Sequence, residues 1–129
     1  MRLFVDTSAL IAGIDREQPH HGEVRAAFDH LSSLDDLIST ELIVTEAVAI
    51  VQRRHGRVGL EQLERFLEGL QVIWISPAAF QRALAETIVA GGRVSFVDRT
   101  SFAFMREHRI DVALTLDRDF AQAGFETLP

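Results

Sequence analysis

Residues 1–12 read MRLFVDTSALIA and contain the stretch that decides the fold. Residues 3–5 are apolar, β-prone and unbroken, which predicts a short strand buried on both faces of a sheet. Asp6 ends this run, and Thr7 or Ser8 offers a side-chain oxygen that can cap the following helix. The pattern predicts a carboxylate at the carboxyl end of a central strand, where open α/β sheets bind ligands. A polar residue that only caps a turn is the alternative.

The remainder of the chain alternates between helical and extended patterns. Further strands are predicted at residues 36–39, 72–75 and 112–116, with a possible edge strand at 125–128. Helices are predicted at residues 8–14, 20–34, 40–55, 60–70, 76–90 and 95–108. Strands separated by helices pair in parallel through right-handed crossovers. We therefore expect one three-layer α/β/α domain over residues 1–129, with a central, mainly parallel sheet of four or five strands.

Composition excludes several kinds of chemistry. The chain has no cysteine, which excludes disulfides, thiol catalysis and cysteine-ligated zinc. All 13 basic residues are arginine, so a Walker A loop and Schiff-base catalysis are excluded as well. The net charge of −6 argues against sequence-independent binding of nucleic acid through bulk charge. The sequence shows neither a membrane-spanning run nor a signal peptide, and we expect a cytoplasmic protein.

Glu46 is an acid on an apolar helix face. A projection of residues 40–55 at 100° steps has one polar arc, formed by Glu41, Thr45 and Gln52. Glu46 falls outside this arc, between Leu42 and Ile50. Because a buried unpaired carboxylate is costly, it should face a cation, a metal or a wet cleft. An ion pair with Arg53, or a half-exposed position, is the alternative.

Asp98 raises the same question on the helix predicted at residues 95–108. It shares an apolar face with Phe102 and Met105. The alternative is a capping box, in which the Asp98 carboxylate bonds back to the backbone of Ser95.

Asp117 and Asp119 follow the strand at 112–116, so Asp117 should lie at the same sheet edge as Asp6. Capping of a short helix near Phe120 is the alternative for Asp117. Converging carboxylates repel one another unless a hard cation neutralises them. Oxygen-only ligands point to Mg²⁺ or Mn²⁺.

These acids form a pattern that resembles the PIN-domain ribonucleases, and the chain looks like a VapC-type toxin of a type II toxin–antitoxin pair. The matching stretches are FVDTS at residues 4–8, LIVTE at 42–46, SFVDRTSF at 95–102 and LTLDRDF at 114–120. The closing stretch continues with AGF at 123–125. The resemblance runs nearly end to end, which implies a single PIN domain over residues 1–129.

The resemblance also implies site residues and partners. The catalytic and metal-binding acids would be Asp6, Glu46, Asp98 and Asp117, with Mg²⁺ or Mn²⁺ as the cofactor. Weaker supporting members would be Thr7, Ser8, Thr115 and Asp119. The implied activity is endonucleolytic cleavage of RNA, with tRNA or structured rRNA as the substrate. The implied partners are a VapB-type antitoxin and a second copy of the chain in a homodimer, without a membrane.

Other functions remain open at this point. A haloacid-dehalogenase-type phosphotransferase would need an acid at position 8 and a lysine, but the chain has Ser8 and no lysine. An RNA-processing PIN nuclease outside a toxin–antitoxin pair, or a PIN domain that only binds RNA or a partner, would carry the same stretches. Arginines near the acids (Arg99, Arg106 and Arg118) and the RRHGR stretch at 53–57 could grip phosphates, or could only balance charge and the helix dipole.

Overall fold

The computed structural model describes residues 1–31 and 34–129 of the chain. Five strands are present in this part: β1 Arg2–Val5, β2 Asp36–Thr40, β3 Gln71–Ile73, β4 Val112–Leu114 and β5 Glu126–Leu128. Six helices accompany them: α1 Thr7–Ile14, α2 His21–His30, α3 Glu41–Leu67, α4 Pro77–Ala90, α5 Phe96–Glu107 and α6 Arg118–Gln122.

The strands form one parallel sheet in the order β3-β2-β1-β4-β5. β1 pairs with β2 on one side, Leu3 opposite Leu37, and with β4 on the other, Phe4 opposite Ala113. The chain winds outward from β1 to β3, then crosses to β4 and winds the other way. Right-handed crossovers therefore put α1, α2 and α3 on one face and α4, α5 and α6 on the other. The expected three-layer α/β fold is confirmed, with all five strands parallel.

This topology has its switch point between β1 and β4. The connections that leave these two neighbouring strands go to opposite faces of the sheet, which opens a crevice at their carboxyl ends. The Asp6 backbone N–H donates to the Leu114 carbonyl at 3.0 Å, so the two strands remain paired up to the crevice. Asp6 and Asp117 are thereby brought to the same sheet edge, as the sequence predicts.

The core is apolar and rich in phenylalanine. Phe4 of β1 lies against Phe104 of α5 and Phe120 of α6, with ring centroids 5.9 and 6.2 Å apart. Phe102 packs edge-on against Phe120 at 4.9 Å. Because α5 and α6 carry the acids Asp98 and Asp119, this aromatic cluster fixes the helices that present them.

Several predicted boundaries are different in the structure. α1 begins at Thr7, so neither Thr7 nor Ser8 is its N-cap; Asp6 occupies that position but makes no side-chain capping bond. The helix predicted at 20–34 is α2 His21–His30, and Ser32 and Ser33 lie outside the described residues. The helices predicted at 40–55 and 60–70 are joined in the single α3, Glu41–Leu67, whose direction breaks at Gly56. Gly56 has φ 59°, a left-handed value that favours glycine, which explains the break.

No helix in the described ranges combines the length and the apolar character needed to cross a membrane.

Candidate active site

Asp6 is the most buried acid of the site, at 4% exposure. Its Oδ2 accepts hydrogen bonds from the Ser8 and Thr115 hydroxyls, each at 2.8 Å. Ser8 Oγ in turn accepts the backbone N–H of Leu116 at 3.0 Å, and Thr115 Oγ1 accepts that of Asp117 at 3.0 Å. This network ties the ends of β1 and β4 together and holds the Asp6 carboxylate in one orientation.

The third hydroxyl at this edge behaves differently. Thr7 Oγ1 is buried and has no hydrogen-bond partner among the described residues. Ser8 and Thr115 thus make the contacts expected of supporting hydroxyls, whereas Thr7 contributes its backbone N–H, which favours the charged form of Asp6.

A cleft of about 390 Å³ opens above this network. Four acids predicted from the sequence line it together: Asp6, Glu46, Asp98 and Asp117. Ser8 and Thr7 lie at its base, and Gln18 and Arg54 join it from the α1–α2 connection and from α3. The fold therefore brings together residues that are distant in sequence, such as Asp6 and Asp117, which are more than a hundred positions apart.

Glu46 lines this cleft from α3 and is half-buried. It makes no ion pair with Arg53 among the described residues. The alternative of a half-exposed position is correct in part, because Glu46 is only half-buried and the neighbouring Ala49 is exposed. The core face of α3 is instead Ile43, Ala47 and Val51. Glu46 stands at the border of that face, where a wet cleft meets the core.

Glu41 differs from its predicted place on a purely polar arc. It is half-buried, and its Oε2 accepts the backbone N–H of Ile75 at 2.9 Å. Glu41 therefore holds the end of β3 and does not line the acidic cleft. The helical projection could not reveal this contact because Ile75 is distant in sequence.

Asp98 stands in the first turn of α5 and is half-buried. Ser95 caps the helix by accepting the Asp98 backbone N–H at 3.0 Å. The reciprocal bond of a capping box, from the Ser95 backbone N–H to the Asp98 carboxylate, is absent within the described chain. The cap consequently uses the Asp98 backbone N–H, while the Asp98 carboxyl lines the cleft, where a hydrogen bond from the Ser95 side chain opposes the rise of its pKa.

Asp117 has two roles. It is the N-cap of α6, and its Oδ1 accepts the Asp119 backbone N–H at 2.9 Å. It also lies in a cluster with Asp98 and Asp119, in which one carboxylate oxygen of each residue lies within 4.8 Å of the others. The capping alternative is therefore correct for Asp117 and compatible with a place in the cluster.

The cluster has the donor set of a hard-cation site. All three side chains supply carboxylate oxygens, the ligands that Mg²⁺ and Mn²⁺ prefer. Asp119 Oδ1 is buried without a hydrogen-bond partner, and Arg93 Nη2 approaches it at 3.3 Å as an ion pair. The residues present thus fit a divalent cation. Asp119, a weaker member in the sequence-based set, has a carboxylate oxygen within 4.8 Å of those of Asp98 and Asp117.

Burial and repulsion between carboxylates raise the pKa of two acids in the cleft. The pKa of Asp98 is raised to about 7, first by burial and then by the charges of Asp6 and Asp117. Burial also raises the pKa of Asp6, against the opposing effect of the hydrogen bonds from Ser8 and Thr115. A bound cation would remove the cause by stabilising the charged carboxylates.

These pKa shifts predict how metal-free stability depends on pH. A carboxyl whose folded pKa lies above its unfolded value of 3.8 binds more protons when folded, so the free energy of unfolding falls as pH rises. For Asp98 the decline should span pH 4 to about 7 and be complete above that. Thermal unfolding in EDTA should give a lower melting temperature at pH 8 than at pH 5. Asp98→Asn should show a smaller decline, and equal slopes in the two proteins would contradict the shift.

Sequence reasoning missed Arg93 at this site and identified Arg54 only as part of a basic stretch. Arg93 follows Gly91 and Gly92, whose positive φ values of 58° and 77° turn the chain between α4 and α5. Arg54 belongs to the basic stretch at 53–57 but was not singled out within it. By contrast, Arg99 and Arg106 bond backbone carbonyls, those of Gly91 and Ala123, and do not line the cleft.

The fold and the site together define a class: an α/β protein with a carboxylate cluster at the switch point of a parallel sheet. Residues 3–126 match the PIN domain family, and the chain belongs to it.

Solved structures that are similar to this chain include VapC-type proteins. VapC20 of Mycobacterium tuberculosis, a toxin that cleaves the sarcin–ricin loop, superposes with a TM-score of 0.87 and 26% identity over 98% of this chain and 99% of that one. VapBC2 of Rickettsia felis, bound to a DNA fragment from its promoter, superposes with a TM-score of 0.78 and 13% identity over 98% of this chain and 97% of that one. DNA-bound VapBC of Salmonella typhimurium superposes with a TM-score of 0.73 and 18% identity over 98% of this chain and 96% of that one. No curated protein sequence matches significantly.

Proposed function

We propose that the protein is a Mg²⁺- or Mn²⁺-dependent endoribonuclease and the toxin of a toxin–antitoxin pair. The observation that carries this proposal is the meeting of Asp98, Asp117 and Asp119 within 4.8 Å, in a site whose cleft also contains Asp6 and Glu46. Membership of the PIN domain family and the likeness to VapC20 support it. Because VapC20 cleaves the sarcin–ricin loop, structured rRNA is the substrate class we favour, with tRNA as the alternative.

The carboxylates would divide the work by position. Asp98, Asp117 and Asp119 would hold the cation, with Asp6 and Glu46 completing the acidic wall of the cleft. When bound, the cation supplies Lewis-acid stabilisation of phosphate charge and lowers the pKa of water. The Ser8 and Thr115 hydroxyls keep Asp6 Oδ2 in a fixed orientation, so the site needs little reorganisation when substrate arrives. Arg54 at the rim can pair with a phosphate oxygen of the RNA.

Cleavage by the purified protein tests this function. An rRNA fragment that contains the sarcin–ricin loop, and a tRNA mixture, should be cut in Mg²⁺ or Mn²⁺ and remain intact in excess EDTA. Asp6→Asn should be inactive in all conditions, which guards against a contaminating nuclease. Robust cleavage in EDTA, or equal cleavage by Asp6→Asn, would overturn the proposal.

A neutralising partner completes the proposed role. The solved relatives include VapBC complexes, and an acidic cleft attracts a cationic group that an apolar segment can seal in place. We propose a VapB-type antitoxin that places an arginine or an apolar segment over the cleft, and a homodimeric toxin in the cytoplasm. Co-expression with the product of the neighbouring gene should restore growth and yield a copurifying complex. Failure of both would leave a PIN nuclease outside a toxin–antitoxin pair.

A further inference from the structure

A second cleft, of about 420 Å³, lies among α1, α2 and α3. Three arginines line it, Arg16, Arg25 and Arg65, together with His21 and the ring of Phe66. No carboxylate belongs to its lining. We refer to this site as the arginine cleft, and its lining is completed by Gly13, Ile14 and Gln62. In a chain of net charge −6, a concave site with three cations and no anion is a local reversal of the overall charge.

The three guanidinium groups are unpaired among the residues that the structure describes. Within the described chain, Arg16, Arg25 and Arg65 form no side-chain hydrogen bond and no ion pair. Other arginines do, such as Arg57, whose Nε donates to Glu61 at 2.8 Å. All three are exposed, so their donors remain available to an anion.

The apolar floor of the arginine cleft packs against α2. Phe66 meets Phe28 edge-on, with centroids 4.8 Å apart at 86°. On the rim, His21 Nδ1 lies 2.6 Å from the Ala12 carbonyl, which orients the ring. An aromatic ring beside guanidinium groups suits a nucleotide, whose base can stack while its phosphate is paired.

The arginine cleft continues toward the acidic cleft. A third depression, of about 400 Å³, shares Arg16 and Gln62 with it and reaches Asp15, Glu17 and His55. The next residues along the chain, Gln18 and Arg54, line the acidic cleft itself.

The buried acid on this route, Asp15, already has partners within the protein for its carboxylate. Asp15 accepts the Glu17 backbone N–H at 3.0 Å and lies 3.1 Å from His55 Nε2. The Glu17 N–H, and then His55, hold the pKa of Asp15 below its ordinary value. A polyanion that follows this route therefore meets one exposed carboxylate, Glu17, between the cations at either end.

We propose that the arginine cleft binds the backbone phosphates of the RNA strand that leads away from the acidic cleft, with Phe66 available to a flanking base. This inference rests on the proposed function. The acidic cleft itself repels RNA except at its bound cation, so the affinity for substrate must come from another surface. The arginine cleft supplies that surface at the end of a continuous path.

Binding of a short, fluorescein-labelled single-stranded RNA of mixed sequence tests the inference. Fluorescence anisotropy in EDTA avoids cleavage and isolates the arginine cleft from metal-mediated contacts. Arg25→Ala/Arg65→Ala should bind about tenfold more weakly than wild type. The slope of log affinity against log salt should fall by about 1.4, since each neutralised phosphate of a single strand contributes about 0.7.

Arg82→Ala/Arg109→Ala is the matched control. It removes the same charge from exposed arginines outside the arginine cleft, and it should bind RNA like wild type. Melting temperatures of both double variants should equal that of wild type. If the two double variants lose affinity equally, or neither loses any, the inference is wrong. It is also wrong if Arg25→Ala/Arg65→Ala keeps its RNA affinity and loses only a copurifying partner, because the cleft then receives an acidic protein segment.

The same proteins separate this inference from the function on which it depends. In Mg²⁺, Arg25→Ala/Arg65→Ala should cut RNA with a raised KM and an unchanged kcat, because these residues touch the strand away from the reacting phosphate. Wild-type protein that binds RNA but does not cut it in Mg²⁺ would refute the proposed function alone. Wild-type cleavage with unchanged KM in Arg25→Ala/Arg65→Ala would refute the arginine cleft alone.

Discussion

Replacing Glu46 with glutamine is expected to reduce metal-dependent RNA cleavage by about a hundredfold or more, the usual range for a lost catalytic carboxylate. The amide has nearly the same shape, but it removes one charge from the wall of the acidic cleft. Rates of RNA cleavage at saturating Mg²⁺ measure the effect.

Glu41→Gln is the matched control on the same helix. Glu41 accepts the Ile75 backbone N–H, a bond that an amide oxygen can also accept, and it lies outside the cleft. Activity and melting temperature should therefore be close to wild type. Equal losses in both variants, or a loss only in Glu41→Gln, would mean that the acid of α3 has been assigned wrongly.

Asp98→Asn is expected to abolish cleavage while leaving the metal-free fold as stable as wild type, or more stable. The Asp98 carboxyl has a pKa raised to about 7 by burial and by its acidic neighbours, so its charge at pH 8 opposes folding. The helix cap survives because Ser95 accepts the Asp98 backbone N–H, not a side-chain group. Thermal unfolding in EDTA and in Mg²⁺ measures both effects.

Added metal should reverse the order of the two proteins. Wild type should gain about 2.7 kcal/mol at a hundredfold excess of Mg²⁺ over its dissociation constant, and Asp98→Asn should gain less. Ser95→Ala provides the control for a cap, and it should lose about 1 kcal/mol with or without metal. An Asp98→Asn protein that melts lower in EDTA and retains full nuclease activity would show that Asp98 is only a cap.

The sheet could be predicted from local patterns, because each strand is a short apolar run between helices. The sequence also predicted that Asp6 and Asp117 share an edge, since parallel strands align their carboxyl ends. The helices predicted to begin at residues 76 and 95 agree with α4 and α5, whose N-caps are Ser76 and Ser95, because capping and proline geometry depend on neighbouring residues only.

Long-range contacts were beyond the sequence patterns. The residues near Glu41 in sequence do not indicate its hydrogen bond with the Ile75 backbone N–H. Those near Asp119 do not indicate its ion pair with Arg93. The helical projection also placed Glu46 on a core face, whereas it lies at the border of one, because projection ignores which elements pack above the helix. The arginine cleft combines residues of α1, α2 and α3 with the α1–α2 connection, so only the fold assembles it.

Calorimetric titration of the purified protein with Mn²⁺ at pH 6 and pH 8 tests most directly whether these carboxylates form one metal site. Wild type should bind Mn²⁺ saturably at both pH values. Because the Asp98 pKa is about 7 without metal, binding should release a proton at pH 6 and almost none at pH 8. The heat at pH 6 should therefore change with the ionisation enthalpy of the buffer. Asp98→Asn/Asp117→Asn should bind Mn²⁺ far more weakly. Absence of saturable binding to wild type, or equal binding by the double variant, would contradict the account.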